Sequence, residues 1–184
     1  MIRGMLCALL IMGAAEVQPS GRILVTTSDY TVISMVRELD ERFPKLLLDP
    51  TLPQDEVTIE VVDDLRADQD LVGSSKGDRI WGVTTYEGNG ENHHHVKLSK
   101  RMFNQPNGHV VFMSVLAHEL VHVGLLARGE VPLNTCEGLQ HEMTAYSMQI
   151  KVEKWKLDSS NPETEFTLMQ MQHAWMRNCS EDEK

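Results

Sequence analysis

Residues 115–126 read VLAHELVHVGLL: two histidines and a glutamate set into a run that is otherwise Val, Leu, Ala and Gly. Apolar runs of that length fold into a core. A core is a costly place for two imidazoles and a carboxylate unless something completes them. In a helix, residues four apart stack on one face, so His118 and His122 point the same way with Glu119 beside them. Two core histidines satisfied by backbone groups would account for neither the four-residue spacing nor the intervening Glu119. A metal ion accounts for both, because HExxH on a helix supplies two imidazole ligands and a carboxylate that works on water at the metal.

The flanking sequence supplies partners for that helix. Residues 22–27 (RILVTT) read as a short buried strand. Ser28 or Asp29 then caps a helix with Val32, Met35, Val36, Leu39 and Phe43 at helical spacing. Pro44 and the segment LLLDPTLPQDE end it. Residues 57–62 (VTIEVV) and 79–86 (RIWGVTTY) are strands with a turn at 73–78 between them. EGNGEN at 87–92 turns the chain into 94–99 (HHVKLS), which alternates like an edge or half-exposed strand. NQPNG at 104–108 breaks the chain before the apolar helix at 110–126. A second helix runs over 135–156, and Asn161-Pro162-Glu163 starts a third. This order predicts an α+β fold: a small twisted sheet of about four strands, one early helix, the HExxH helix and two C-terminal helices.

The N-terminus has its own pattern. Arg3 is the only charge ahead of an apolar stretch at 5–12 and Gly13-Ala14-Ala15. This reads as a secretory signal over residues 1–15, with 16–184 as a single domain and the product secreted or periplasmic; a buried first strand or helix is the alternative. The chain carries 17 Lys and Arg against 27 Asp and Glu, a net charge of −10. Losing Arg3 with the signal makes it −11. Such a chain is a poor binder of nucleic acid or of an anionic membrane by bulk charge. Cleavage leaves Cys136 and Cys179, either a disulfide from the loop after the histidine helix to the C-terminal tail or two unrelated thiols.

Through HELVH the chain resembles the zincin metallopeptidases over residues 114–149. A catalytic zinc site takes three protein ligands and leaves one position for water. Downstream candidates for the third ligand are Glu130, Glu137, His141, Glu142 and Glu153. On a helical wheel Glu142 projects from the middle of the apolar face, flanked by Leu139, Met143, Tyr146 and Ile150 on one side and Ala145, Met148 and Val152 on the other. Glu137 points outward, His141 lies at the margin, Glu130 sits in the loop, and Glu153 is placed with His141 and Glu137. Glu142 is therefore the expected ligand. Its separation from His122 resembles the gluzincin branch, whose third ligand is a Glu on the next helix. Where that branch carries a small and a polar residue three and four positions on, this chain has Ala145 and Tyr146. No third His follows at metzincin spacing.

The resemblance implies a monomeric zinc-dependent peptidase acting on a peptide or protein. His118, His122 and Glu142 would hold Zn2+, and Glu119 would be the general base. Tyr146, His141 and His173 are candidates to stabilise the oxyanion, and Tyr146 is the expected catalytic residue among them. A non-catalytic zinc-binding accessory, immunity or sensor protein is the second reading. Of the tract His93-His94-His95, only His93 and His95 can share a strand face, either beside the cleft or as a solvated strand end. Met169, Met171 and Met176 read as core packing.

Overall fold

Among the described residues, three of four α-helices begin on a side chain that accepts from their unpaired first-turn N–H groups. The computed structural model describes residues 15–17, 23–44, 46, 55–63, 65, 81–87 and 93–179. Residues 1–14 of the signal expected at 1–15, most of the LLLDPTLPQDE loop, the turn at 73–78 and all but Glu87 of the turn at 87–92 lie outside them, while Ala15 belongs to a strand. Asp29 caps α1 (Tyr30–Arg42), Asn134 caps α3 (Thr135–Leu157), and Asn161 caps α4 (Pro162–Asn178) with Pro at its first position. Such caps are worth about 1 kcal/mol each. Between them, α2 (Gly108–Ala127) starts after Asn107, whose φ of 56° is left-handed and whose side chain makes no cap bond. It stops at Gly129, where φ is +75°. There the Glu130 and Gly129 N–H groups donate to the Leu125 and Leu126 carbonyls at 3.0 and 2.8 Å, a turn that favours glycine.

The strands are β1 (Ala15–Val17), β2 (Ile23–Thr27), β3 (Asp55–Val62), β4 (Gly82–Glu87) and β5 (His93–Ser99). They form one five-stranded mixed sheet in the order β1-β2-β3-β5-β4. β2, β3 and β5 run parallel, with β1 and β4 antiparallel on the flanks. The four expected strands are all present, and β1, whose Ala15 pairs with Thr27, adds a fifth. Of the two readings of β5, edge or half-exposed strand, the second holds: β4 packs outside it, and its alternation reflects one face on the core and one face more open.

The core lies between that sheet and the helices. Val57 and Ile59 of β3 and Val96 and Leu98 of β5 meet Val32, Met35, Val36 and Leu39 of α1 and Phe112, Leu116 and Leu120 of α2. Each large side chain fully buried there contributes roughly 1.5–3 kcal/mol. α2 is apolar around most of its circumference because most of it is enclosed: thirteen of its twenty residues are buried, His118 and Glu119 among them. On α3, Trp155 packs edge-on against Phe43 at 5.6 Å, fixing that helix over the end of α1. Cys136 and Cys179 are joined as a disulfide, closing the start of α3 onto the end of α4.

Candidate metal centre

α2 and α3 lie side by side, and their facing surfaces bring three side chains together. His118 Nε2 and His122 Nε2 are 3.2 Å apart. Glu142 reaches across from α3, with Oε2 3.5 Å from His118 Nε2 and Oε1 3.4 Å from His122 Nε2. Among the described residues this is the group whose ligand atoms are close enough for one ion. It sits in a cleft of about 1100 Å³ lined by Trp81, Gly82 and Thr84 from the β4 side, by α2 and α3, and by Thr167 and Met171 of α4.

The electrostatics suit a cation. Burial pushes the His122 imidazole down to about 4; the His118 and His141 rings add to this, and the Glu142 carboxylate pulls the other way. Burial also pushes Glu142 up. The hydrogen bond with His118 and the nearby His122, His118 and His141 outweigh it, and hold Glu142 below the ordinary carboxylate range. A neutral imidazole beside an ionised carboxylate is the protonation state that metal binding requires. His118 Nδ1 is buried without a hydrogen-bond partner among the described residues, and the Tyr146 ring stands edge-on to this ring at 4.6 Å, packing against it.

Glu119 is 5% exposed and lines the same cleft. Burial raises its carboxyl above the usual range and Glu142 adds to that, while His118 and a hydrogen bond from Thr84 oppose it. Tyr146 also lines the cleft; burial, then Glu142 and Glu119, raise its hydroxyl, so it stays a donor.

The remaining candidates separate clearly. His141 lines the cleft, whereas His173 is exposed on α4 outside its lining. Glu130 pairs with Arg128 at 2.6 Å. Glu137 accepts from Leu133 N and Asn134 Nδ2 and so closes the start of α3. Two placements on α3 need correction. Glu142 is not submerged in an apolar face: its side chain is 41% exposed, because that face is the cleft wall. Glu153 does not share the side of Glu137. Eleven residues make three turns plus about 20°, which sets Glu153 almost in line with Glu142. It is 3% exposed and accepts from Asn161 N, Thr164 Oγ1, Gln149 Nε2 and Ser114 Oγ.

His93 and His95 do share a face, with ring centroids 4.5 Å apart, but that face is not part of the cleft lining. His93 Nε2 instead lies 3.0 Å from Thr58 Oγ1. The methionines of α4 are not core: Met169 and Met176 are exposed, and Met171 lines the cleft. Gly82 and Thr84 of β4 were missed. The available signal was a glycine inside a strand, which often marks a close approach of the backbone to another group. The chain matches no protein-family model, no curated protein and no solved structure.

Proposed function

We propose that this centre is the active site of a zinc-dependent peptidase of zincin type, gluzincin-like in drawing its third ligand from the following helix. One observation carries the reading: the three ligand residues stand 3.2, 3.4 and 3.5 Å apart. Tetrahedral zinc with bonds of about 2.0–2.1 Å separates its ligand atoms by about 3.3–3.4 Å. The imidazole pair stands at about that spacing; each Glu142 oxygen faces one imidazole, so a turn of the carboxylate would complete the triangle.

Zinc bound there supplies Lewis acidity, acidifying a water and polarising a carbonyl. Glu119 takes the proton of the attacking water and delivers it to the leaving amine; its buried, raised carboxyl favours holding that proton between the two steps. Tyr146 offers its hydroxyl to the developing oxyanion. β4 ends the sheet among the described residues, and residues 81–84 line the cleft, so an extended peptide can pair with its open edge. The Cys136–Cys179 disulfide supports an exported, oxidising setting.

The test combines metal analysis with hydrolysis of an unstructured protein. Wild type and His141→Ala should carry one equivalent of zinc, and Glu142→Ala should lose it. Glu119→Gln should keep the metal and abolish cleavage. Zinc-loaded wild type that cleaves no member of a peptide library would overturn the peptidase reading in favour of a non-catalytic zinc module.

A further inference from the structure

A glutamate side chain has three rotatable bonds, and a buried one must be held to work as a proton carrier. Glu119 is held from the sheet. Thr84 Oγ1 stands 2.7 Å from Glu119 Oε2 and 3.3 Å from the Glu119 backbone oxygen. A hydroxyl has one proton to give, and the short contact to the carboxylate claims it. The longer contact shows how closely β4 approaches the α2 backbone at the same point.

Two residues earlier, on the same side of the strand, Gly82 leaves the space that the other oxygen occupies. A Cβ built on Gly82 would come within 2.5 Å of Glu119 Oε1, 2.8 Å of its Cγ and 2.9 Å of its Cδ. Real Cβ atoms do not approach that closely, so any side chain at 82 displaces the carboxylate. β4 thus offers a donor to one carboxylate oxygen and a gap to the other.

Resting on the reading of Glu119 as the proton carrier, we infer that Gly82 and Thr84 are its positioning residues, together forming a seat that sets the carboxylate's orientation in the cleft. Neither touches the metal ligands in this role. The seat therefore governs turnover and leaves metal binding alone. Because both residues belong to the strand whose edge borders the cleft, a peptide paired with that strand would stiffen the seat as it binds.

The deciding experiment uses metal-free full-length protein, so it does not depend on activity. Thr84→Val keeps the volume and removes the donor; it should lower the melting temperature by roughly 3–10 °C. In a Glu119→Leu background the same change should cost less, because the hydroxyl is left with only the longer contact to the residue 119 backbone oxygen. Thr84→Ser should melt like wild type in place of the Val variant. Should Glu119→Leu fail to fold, the Ser-against-Val comparison decides alone. In the zinc-loaded assay, Thr84→Val and Gly82→Ala should lower kcat about 10- to 100-fold with KM little changed and zinc content intact. An equal loss for Thr84→Val in both Glu119 backgrounds, or indistinguishable Val and Ser variants, overturns the inference. Wild type without zinc would sink the peptidase reading, while the melting cycle would still decide the seat.

Discussion

Truncating Glu142 to Ala should uncouple zinc from folding stability, since on the proposed reading this carboxylate joins α3 to the histidines of α2. An ion that binds only the folded chain stabilises it by RT ln(1 + [L]/Kd), so above saturation each tenfold rise in free zinc adds about 1.4 kcal/mol. For a chain of 184 residues, 1 kcal/mol moves the melting temperature by about 2–4 °C. Wild type should therefore climb about 3–6 °C per decade of free zinc. The slope does not require knowing Kd. It approaches the full value because the three ligand residues already stand 3.2–3.5 Å apart in the fold, and because the unfolded chain keeps no contact between residues 122 and 142. Glu142→Ala leaves two ligands on one helix, and its curve should be nearly flat over the same range. Glu119→Gln should keep the wild-type slope. The assay is calorimetry across a chelator-buffered zinc series at constant pH. Equal slopes in wild type and Glu142→Ala, or a flat wild type, would refute the reasoning that three side chains share one ion.

Two further outcomes are expected. Reducing the Cys136–Cys179 disulfide, or replacing both cysteines with serine, frees a loop of 43 residues; loop entropy puts the loss at about 4 kcal/mol, read as a lower urea midpoint. Unchanged midpoints with and without reductant would contradict it. Burial raises the Glu153 carboxyl, against hydrogen bonds from Asn161, Thr164, Gln149 and Ser114. A raised folded value means that the stability contribution is present below the unfolded pKa and is lost as pH rises through the folded one. As pH rises from the ordinary carboxylate range through the raised folded value, wild type should lose stability relative to Glu153→Gln; parallel urea curves would show that the carboxyl is not raised.

Much of the local structure was legible because its causes are local. Asp29 and Asn161 cap helices with their own side chains, and the i, i+4 spacing of His118 and His122 aligns them on any α-helix. Glu142 was reachable through the helical period. Glu153 was misplaced on the same wheel: its position follows from eleven residues of helix, but its four donors come partly from α2 and α4, which no wheel contains. The exposure of Met169 and Met176 likewise depends on whether anything covers α4.

The sequence by itself determined the chemistry available: two imidazoles and a carboxylate on one apolar helix, a further carboxylate one helix on, and a pair of cysteines. Tertiary structure alone decided which of those groups meet. Strand order made β4 the border of the cleft and β5 an interior strand. That order set Gly82 and Thr84 against Glu119, Thr84 across 35 residues of chain. Contacts of that kind depend on how layers pack. A residue's neighbours in sequence carry almost no record of the surface that will be laid against it.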